Sequence, residues 1–100
     1  MSNVVEFTLT VKPGHYQQVL ELYSNFAHDF MQIDSHLKSV HIVGDPGAGL
    51  VRGIGVFDTV EAAAEVNSDV IFARFNDDIA GLISAPPERR ILDLVHAWHR

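Results

Sequence analysis

Cysteine is absent from this chain of 100 residues. Disulfide staples, thiolate nucleophiles and cysteine-held zinc are thereby excluded together. Positive charge is scarce as well: seven Lys and Arg stand against 13 Asp and Glu, for a net charge of −6. The seven basic residues are scattered, so the basic stripe expected of a nucleic-acid binder is missing. No apolar run approaches the ~20 residues needed to span a bilayer. Met1-Ser2-Asn3-Val4 lacks the basic region of a secretion signal. The expectation is one cytoplasmic domain over residues 1–100, with neither nucleic acid nor membrane as a partner.

What the chain does have is 47% hydrophobic residues, set out in a changing rhythm. Val5, Phe7, Leu9 and Val11 alternate with polar residues, which predicts a strand, and Lys12-Pro13-Gly14 ends it. From Tyr16 the apolar positions become Val19, Leu20, Tyr23, Phe26, Ala27, Phe30 and Met31, the spacing of one helix face. Lys38 to Val43 and Leu50 to Phe57 read as a hairpin around the turn Gly44–Gly49. Asp58-Thr59-Val60-Glu61 reads as an aspartate capping box opening a second helix. Asn67-Ser68-Asp69 breaks that helix before a stripe of Ile71, Phe75, Ile79 and Leu82, and Arg90 to Trp98 is the last strand. The order β-α-β-β-α-β predicts an α+β, ferredoxin-like sandwich with an antiparallel sheet in the order 4-1-3-2 and both helices on one face.

Alternation assigns the faces. Phe7 and Leu9 should point toward the helices, and on the last strand the bulkier set Leu92, Leu94, His96 and Trp98 should do the same. If Gly53 and Gly55 also face the helices, they remove volume beneath the helical layer, a mark of close approach by a ligand or backbone. The far face then carries Leu50, Ile54, Val56, Ile91 and Val95 around Glu6, Thr8, Arg52 and Asp93. That face is too apolar for water, which predicts a homodimer joined through its sheets.

A cavity between sheet and helices would be floored by Gly53 and Gly55 and walled by Phe7, Phe26, Phe30 and Phe57. His96 and Trp98, two apart on one strand face, would then serve as a base or hydrogen-bond donor and as a stacking wall. The plainer alternative is a half-buried histidine and a core tryptophan. Asn67, Arg74 and Asp78 on the second helix would reach a ligand's polar atoms or, alternatively, sit at a helix break and on a solvated flank. The aromatic stripe Tyr16, Tyr23, Phe26 and Phe30 reads first as core. His15, His28 and His36 read as surface residues, and His41 faces the far side of the sheet or solvent. Without cysteine or tight His/Asp/Glu spacing, no metal site is expected. Gly44–Gly49 joins two strands rather than a strand and a helix, so it is no phosphate cradle, and a Gly-x-Ser-x-Gly elbow is missing.

Val11-Lys12-Pro13-Gly14 closing the first strand, Val56-Phe57-Asp58-Thr59-Val60-Glu61-Ala62 leading into a helix, and Asn67-Ser68-Asp69 resemble the antibiotic biosynthesis monooxygenase-like group. The resemblance implies a dimeric α+β barrel with a mostly apolar pocket in each subunit for a small apolar or aromatic ligand. It also implies oxidation of quinols or phenols by O₂ without metal or flavin, hence no cofactor. Other members degrade haem, and relatives of this architecture include lactone isomerases and proteins with no known reaction. Where many members place a tryptophan at the end of strand 3, this chain has Phe57. The haem-degrading asparagine and histidine align with Val5 and Phe75, which speaks against haem. The expectations are therefore a cofactor-independent monooxygenase-like enzyme using His96, a non-catalytic ligand-binding or stress-associated dimer, or an isomerase-type enzyme.

Overall fold

The computed structural model describes residues 2–65 and 70–100. Strand β1 (Asn3–Thr10) is followed by α1 (Tyr16–Ile33), the hairpin β2 (Leu37–Asp45) and β3 (Leu50–Phe57), then α2 (Val60–Glu65), α3 (Val70–Ile79) and β4 (Glu88–Asp93). The sheet is antiparallel throughout and runs β2-β3-β1-β4, the expected 4-1-3-2 order read from the other edge. The described helical residues after β3 are α2 and α3, which flank residues 66–69. Asn67 and the expected break lie outside the described residues. No helix among those described is long and apolar enough to cross a membrane.

Local chemistry explains the joints. Gly14 has φ +84°, a left-handed backbone that favours glycine, and it turns the chain from β1 into α1. Asp34 ends α1: its carboxylate accepts the His36 backbone N–H at 2.8 Å and starts the run into β2. The cap of α2 is Thr59 and not Asp58, because the Thr59 hydroxyl accepts the Ala62 N–H at 3.1 Å. Asp58 is occupied elsewhere. Its carboxylate lies 2.8 Å from His36 Nδ1 and 3.4 Å from Lys38 Nζ. At the far end of α2, Arg89 donates from Nη2 to the Ala63 carbonyl at 2.7 Å, placing a cation where the helix dipole favours one.

One face of β1 (Asn3, Val5, Phe7, Leu9) is buried beneath the helices. Register carries that face across the sheet: Phe7 is opposite Gly53, Val5 opposite Gly55, and Ile42 and Val40 flank the same glycines from β2. Both glycines thus face the helices, which decides between the two faces that alternation alone leaves open on β3. From the helical side α1 contributes Val19, Tyr23, Ala27 and Phe30, and α3 contributes Phe72, Phe75 and Ile79.

The last strand differs from expectation in length and in face. It starts at Glu88 and stops at Asp93, opposite Asn3, the first residue of β1; one more backbone bond, from the Leu94 N–H to the Ser2 carbonyl at 3.0 Å, follows. Asn3 closes that end by donating from Nδ2 to the Asp93 carboxylate at 3.0 Å. Phe7 pairs with Arg89 and Val5 with Ile91, so Arg89, Ile91 and Asp93 share the helical side while Leu92 faces away. The far face is accordingly built from Leu50, Ile54, Val56 and Leu92 around Glu6, Thr8, Arg52, Glu88 and Arg90. Ile91 and Asp93 do not belong to it.

Candidate functional site

Between sheet and helices lies a cavity of about 50 Å³ lined by Val5, Phe7, Tyr23, Phe26, Ala27, Phe30, Leu37, Val40, Gly53, Gly55, Phe57 and Phe72. Its floor is bare backbone at Gly53 and Gly55. A Cβ on Gly53 would overlap the phenol of Tyr23, and one on Gly55 would stand 3.3 Å from a Leu37 methyl. The strand needs glycine at position 53 because a helix side chain already occupies that space.

The walls are aromatic rings meeting mostly edge to face. Phe7 contacts Tyr23 and Phe72 at centroid distances of 6.1 and 5.2 Å, and Phe30 contacts Phe57 at 6.5 Å. Phe26 departs from this pattern. It lies nearly parallel to Phe75, at 4.6 Å and 16°, and it is the one cavity-lining phenylalanine that is half-buried and not buried. A flat ring stacked on Phe75 is therefore already accommodated here, and the protein's own Phe26 supplies it.

Tyr23 carries the only polar side-chain atom among the cavity-lining residues. Burial pushes its phenol well above the ordinary value near 10, and a hydrogen bond with the Gly53 backbone offsets part of that shift. Tyr23 is thus a neutral hydroxyl in an apolar chamber. It suits hydrogen bonding to a ligand oxygen but not proton abstraction at neutral pH. Its position in a hydrophobic stripe reads as core, and the sequence signal that distinguishes it is the pair of alternating glycines on β3.

Of the residues expected at the site, Phe7, Phe26, Phe30, Gly53, Gly55 and Phe57 come together around the cavity. His96 and Trp98 do not. They follow the end of β4, are exposed, and stack on each other at 5.0 Å. The physical reason is twofold: the ladder ends with Asp93 opposite Asn3, and its register gives the even-numbered positions of β4, such as Leu92, to the side away from the helices. A base at His96 is thereby removed from the cavity. Among the described residues, no group of three His, Asp or Glu side chains is disposed to hold a metal.

No protein-family model matches the chain, and no curated protein matches it in sequence. Solved structures match it closely in shape. A candidate antibiotic biosynthesis monooxygenase from Nitrosomonas europaea superposes with a TM-score of 0.84 at 12% identity, covering 95% of this chain and 91% of that one. Rv0793 from Mycobacterium tuberculosis gives 0.82 at 10% identity, with coverages of 97% and 98%. SnoaB from Streptomyces nogalater, a cofactor-independent oxygenase solved in a mutant form, gives 0.78 at 11% identity, with coverages of 96% and 95%. At such identities the likeness is one of fold, and the ferredoxin-like fold of this chain is the one shared with structures named antibiotic biosynthesis monooxygenases.

Proposed function

We propose that this protein binds a small aromatic, phenolic or quinol compound in the cavity over Gly53 and Gly55 and promotes its oxidation by O₂ without a cofactor, working as a homodimer joined through the far sheet faces. The observation that carries the proposal is the aromatic chamber itself, with one neutral phenol, Tyr23, aimed at a glycine floor. The fold's likeness to a cofactor-independent oxygenase supports the choice of reaction. For a phenol the balance is simple. One atom of O₂ replaces a ring hydrogen and ends as a carbonyl, and the phenolic oxygen becomes the second carbonyl. The two hydrogens leave with the other oxygen atom as water. The protein's part is to hold the ring between aromatic faces, keep bulk water out and hydrogen-bond the substrate oxygen through Tyr23.

At about 50 Å³ the cavity is smaller than the ~150 Å³ in which an apolar site holds benzene. Binding therefore requires Phe26, the half-buried wall, to swing outward. The aliphatic far face (Leu50, Ile54, Val56, Leu92) supports the dimer, since such a surface gains by being covered.

A second reading, a ligand-binding protein without catalysis, is favoured by one observation: the cavity-lining residues include no carboxylate, histidine or lysine to move a proton. Oxygen uptake across a panel of phenols, naphthols and hydroquinones separates the readings. The expected result is one O₂ consumed per quinone formed, slowed several-fold in Tyr23→Phe. Saturable binding without uptake would establish the second reading. Turnover independent of O₂ would point to an isomerase, and neither binding nor turnover would overturn both proposals.

A further inference from the structure

The far face of the sheet holds a polar depression of about 170 Å³ lined by Glu6, Thr8, Arg52, Glu88 and Arg90. Two acids and two guanidiniums make it electrically balanced in a chain that is otherwise strongly acidic. Yet none of the four charges makes an ion pair within 4.0 Å among the described residues. Glu6 and Arg90 are directly opposite across β1 and β4, where opposite charges ordinarily gain by pairing, and still their ends stay apart. Arg52 uses Nε to donate to the Thr8 hydroxyl at 2.9 Å, which fixes the guanidinium and leaves its two terminal amino groups free for another acceptor.

The register sets these groups in rows. Arg52 on β3, Thr8 on β1 and Glu88 on β4 form one row across the sheet, positive at one end and negative at the other. A two-fold interface places a surface on its own copy. With the axis along β1, the positive end of this row lies over the negative end of the same row in the second copy, and the reverse. Sheets packed face to face keep their strands nearly aligned, which this axis satisfies. Two copies each carrying −6 repel at long range, so a row with opposite charges at its two ends, matched when reversed on its own copy, is where they can approach.

We propose that a second copy of this chain docks on the far sheet face in the register set by Arg52 and Glu88, each pairing with the other residue of the partner copy. The proposal rests on the sheet-to-sheet dimer reading above and adds the pairing that fixes it. Dissociation constants from sedimentation equilibrium test it with three variants, each checked for folding by circular dichroism. Arg52→Glu alone and Glu88→Arg alone each bring like charges together, and each is expected to weaken the dimer at least tenfold. The double variant R52E/E88R restores opposite charges at both contacts and is expected to return within about threefold of the wild type. Single variants that dimerise like the wild type, or a double variant as weak as the singles, would overturn the pairing while leaving the dimer standing. A wild-type chain that stays monomeric at every concentration would overturn the dimer reading itself.

Discussion

Gly53→Ala is the most searching test of the cavity's construction. The added methyl would overlap the Tyr23 hydroxyl and its ring, whose Cε1 lies 2.8 Å from the new Cβ. Alanine in a strand is otherwise better than glycine by about 0.5–1 kcal/mol, so the backbone preference favours the variant. Overpacking a filled core costs about 1–3 kcal/mol, and Tyr23 has little room to retreat, since Phe7 and Phe75 hold its ring at 6.1 and 4.9 Å. The net expectation is a loss of about 1–2 kcal/mol, seen as a fall in melting temperature of roughly 4–16 °C for a domain of this size. In a Tyr23→Leu background the obstruction is gone, and the same substitution should become neutral or mildly stabilising. Urea denaturation of the four proteins in the cycle would then yield a coupling of about 2 kcal/mol, as expected for residues in direct contact. An equal cost of Gly53→Ala in both backgrounds would refute the claim that Tyr23 occupies the space above that glycine.

Two further expectations concern other parts of the molecule. Phe26→Ala removes the half-buried wall and should enlarge the 50 Å³ cavity toward benzene-binding size at a cost of about 2–3 kcal/mol; calorimetry with benzene or phenol should show binding much tighter than in the wild type, and unaltered affinity would count against Phe26 as the gate. The hydrogen bond from His36, aided by the charges of His36 and Lys38, holds the Asp58 carboxyl below its usual range. Its stabilising contribution is therefore present above the ordinary carboxylate pKa of about 4 and lost as the pH falls below it. Asp58→Asn should melt earlier than the wild type at pH 6 but at nearly the same temperature at pH 2, whereas a gap independent of pH would dismiss this linkage.

How far the sequence discloses the molecule can be followed residue by residue. Alternation about Phe7 and Leu9 is enough to place β1 and its buried face, while the side taken by Gly53 and Gly55 depends on a register that only the folded sheet supplies. Periodicity is a property of neighbours in sequence, and the residues of β1 are neighbours. The end of β4 is a different matter. Arg90 to Trp98 alternates as well as any strand, but a strand lasts only as long as its partner, and β1 begins at Asn3. The register reverses the face assignment as well: Phe7 stands opposite Arg89, so the even-numbered positions of β4 turn away from the cavity. At α2, Asp58 and Thr59 are both good caps, and the choice fell to Thr59 because His36, 22 residues earlier, engages Asp58. Tyr23 reads as core from the sequence for a related reason: a hydroxyl in an aromatic stripe becomes distinctive only when the surface facing it is known to be bare.

The position of Trp98 bears on how this protein should be watched. It is the only tryptophan in the chain, it is 84% exposed, and it lies beyond the last strand, apart from every core ring. Its emission already has the solvent environment that unfolding would give it. Intrinsic fluorescence should therefore stay nearly flat through a transition that circular dichroism records in full, and a melt followed by tryptophan alone would pass for resistance to heat. The same indole, stacked on His96, makes a reporter of the tail: its spectrum moves when something settles on residues 94–100 and is silent about the cavity.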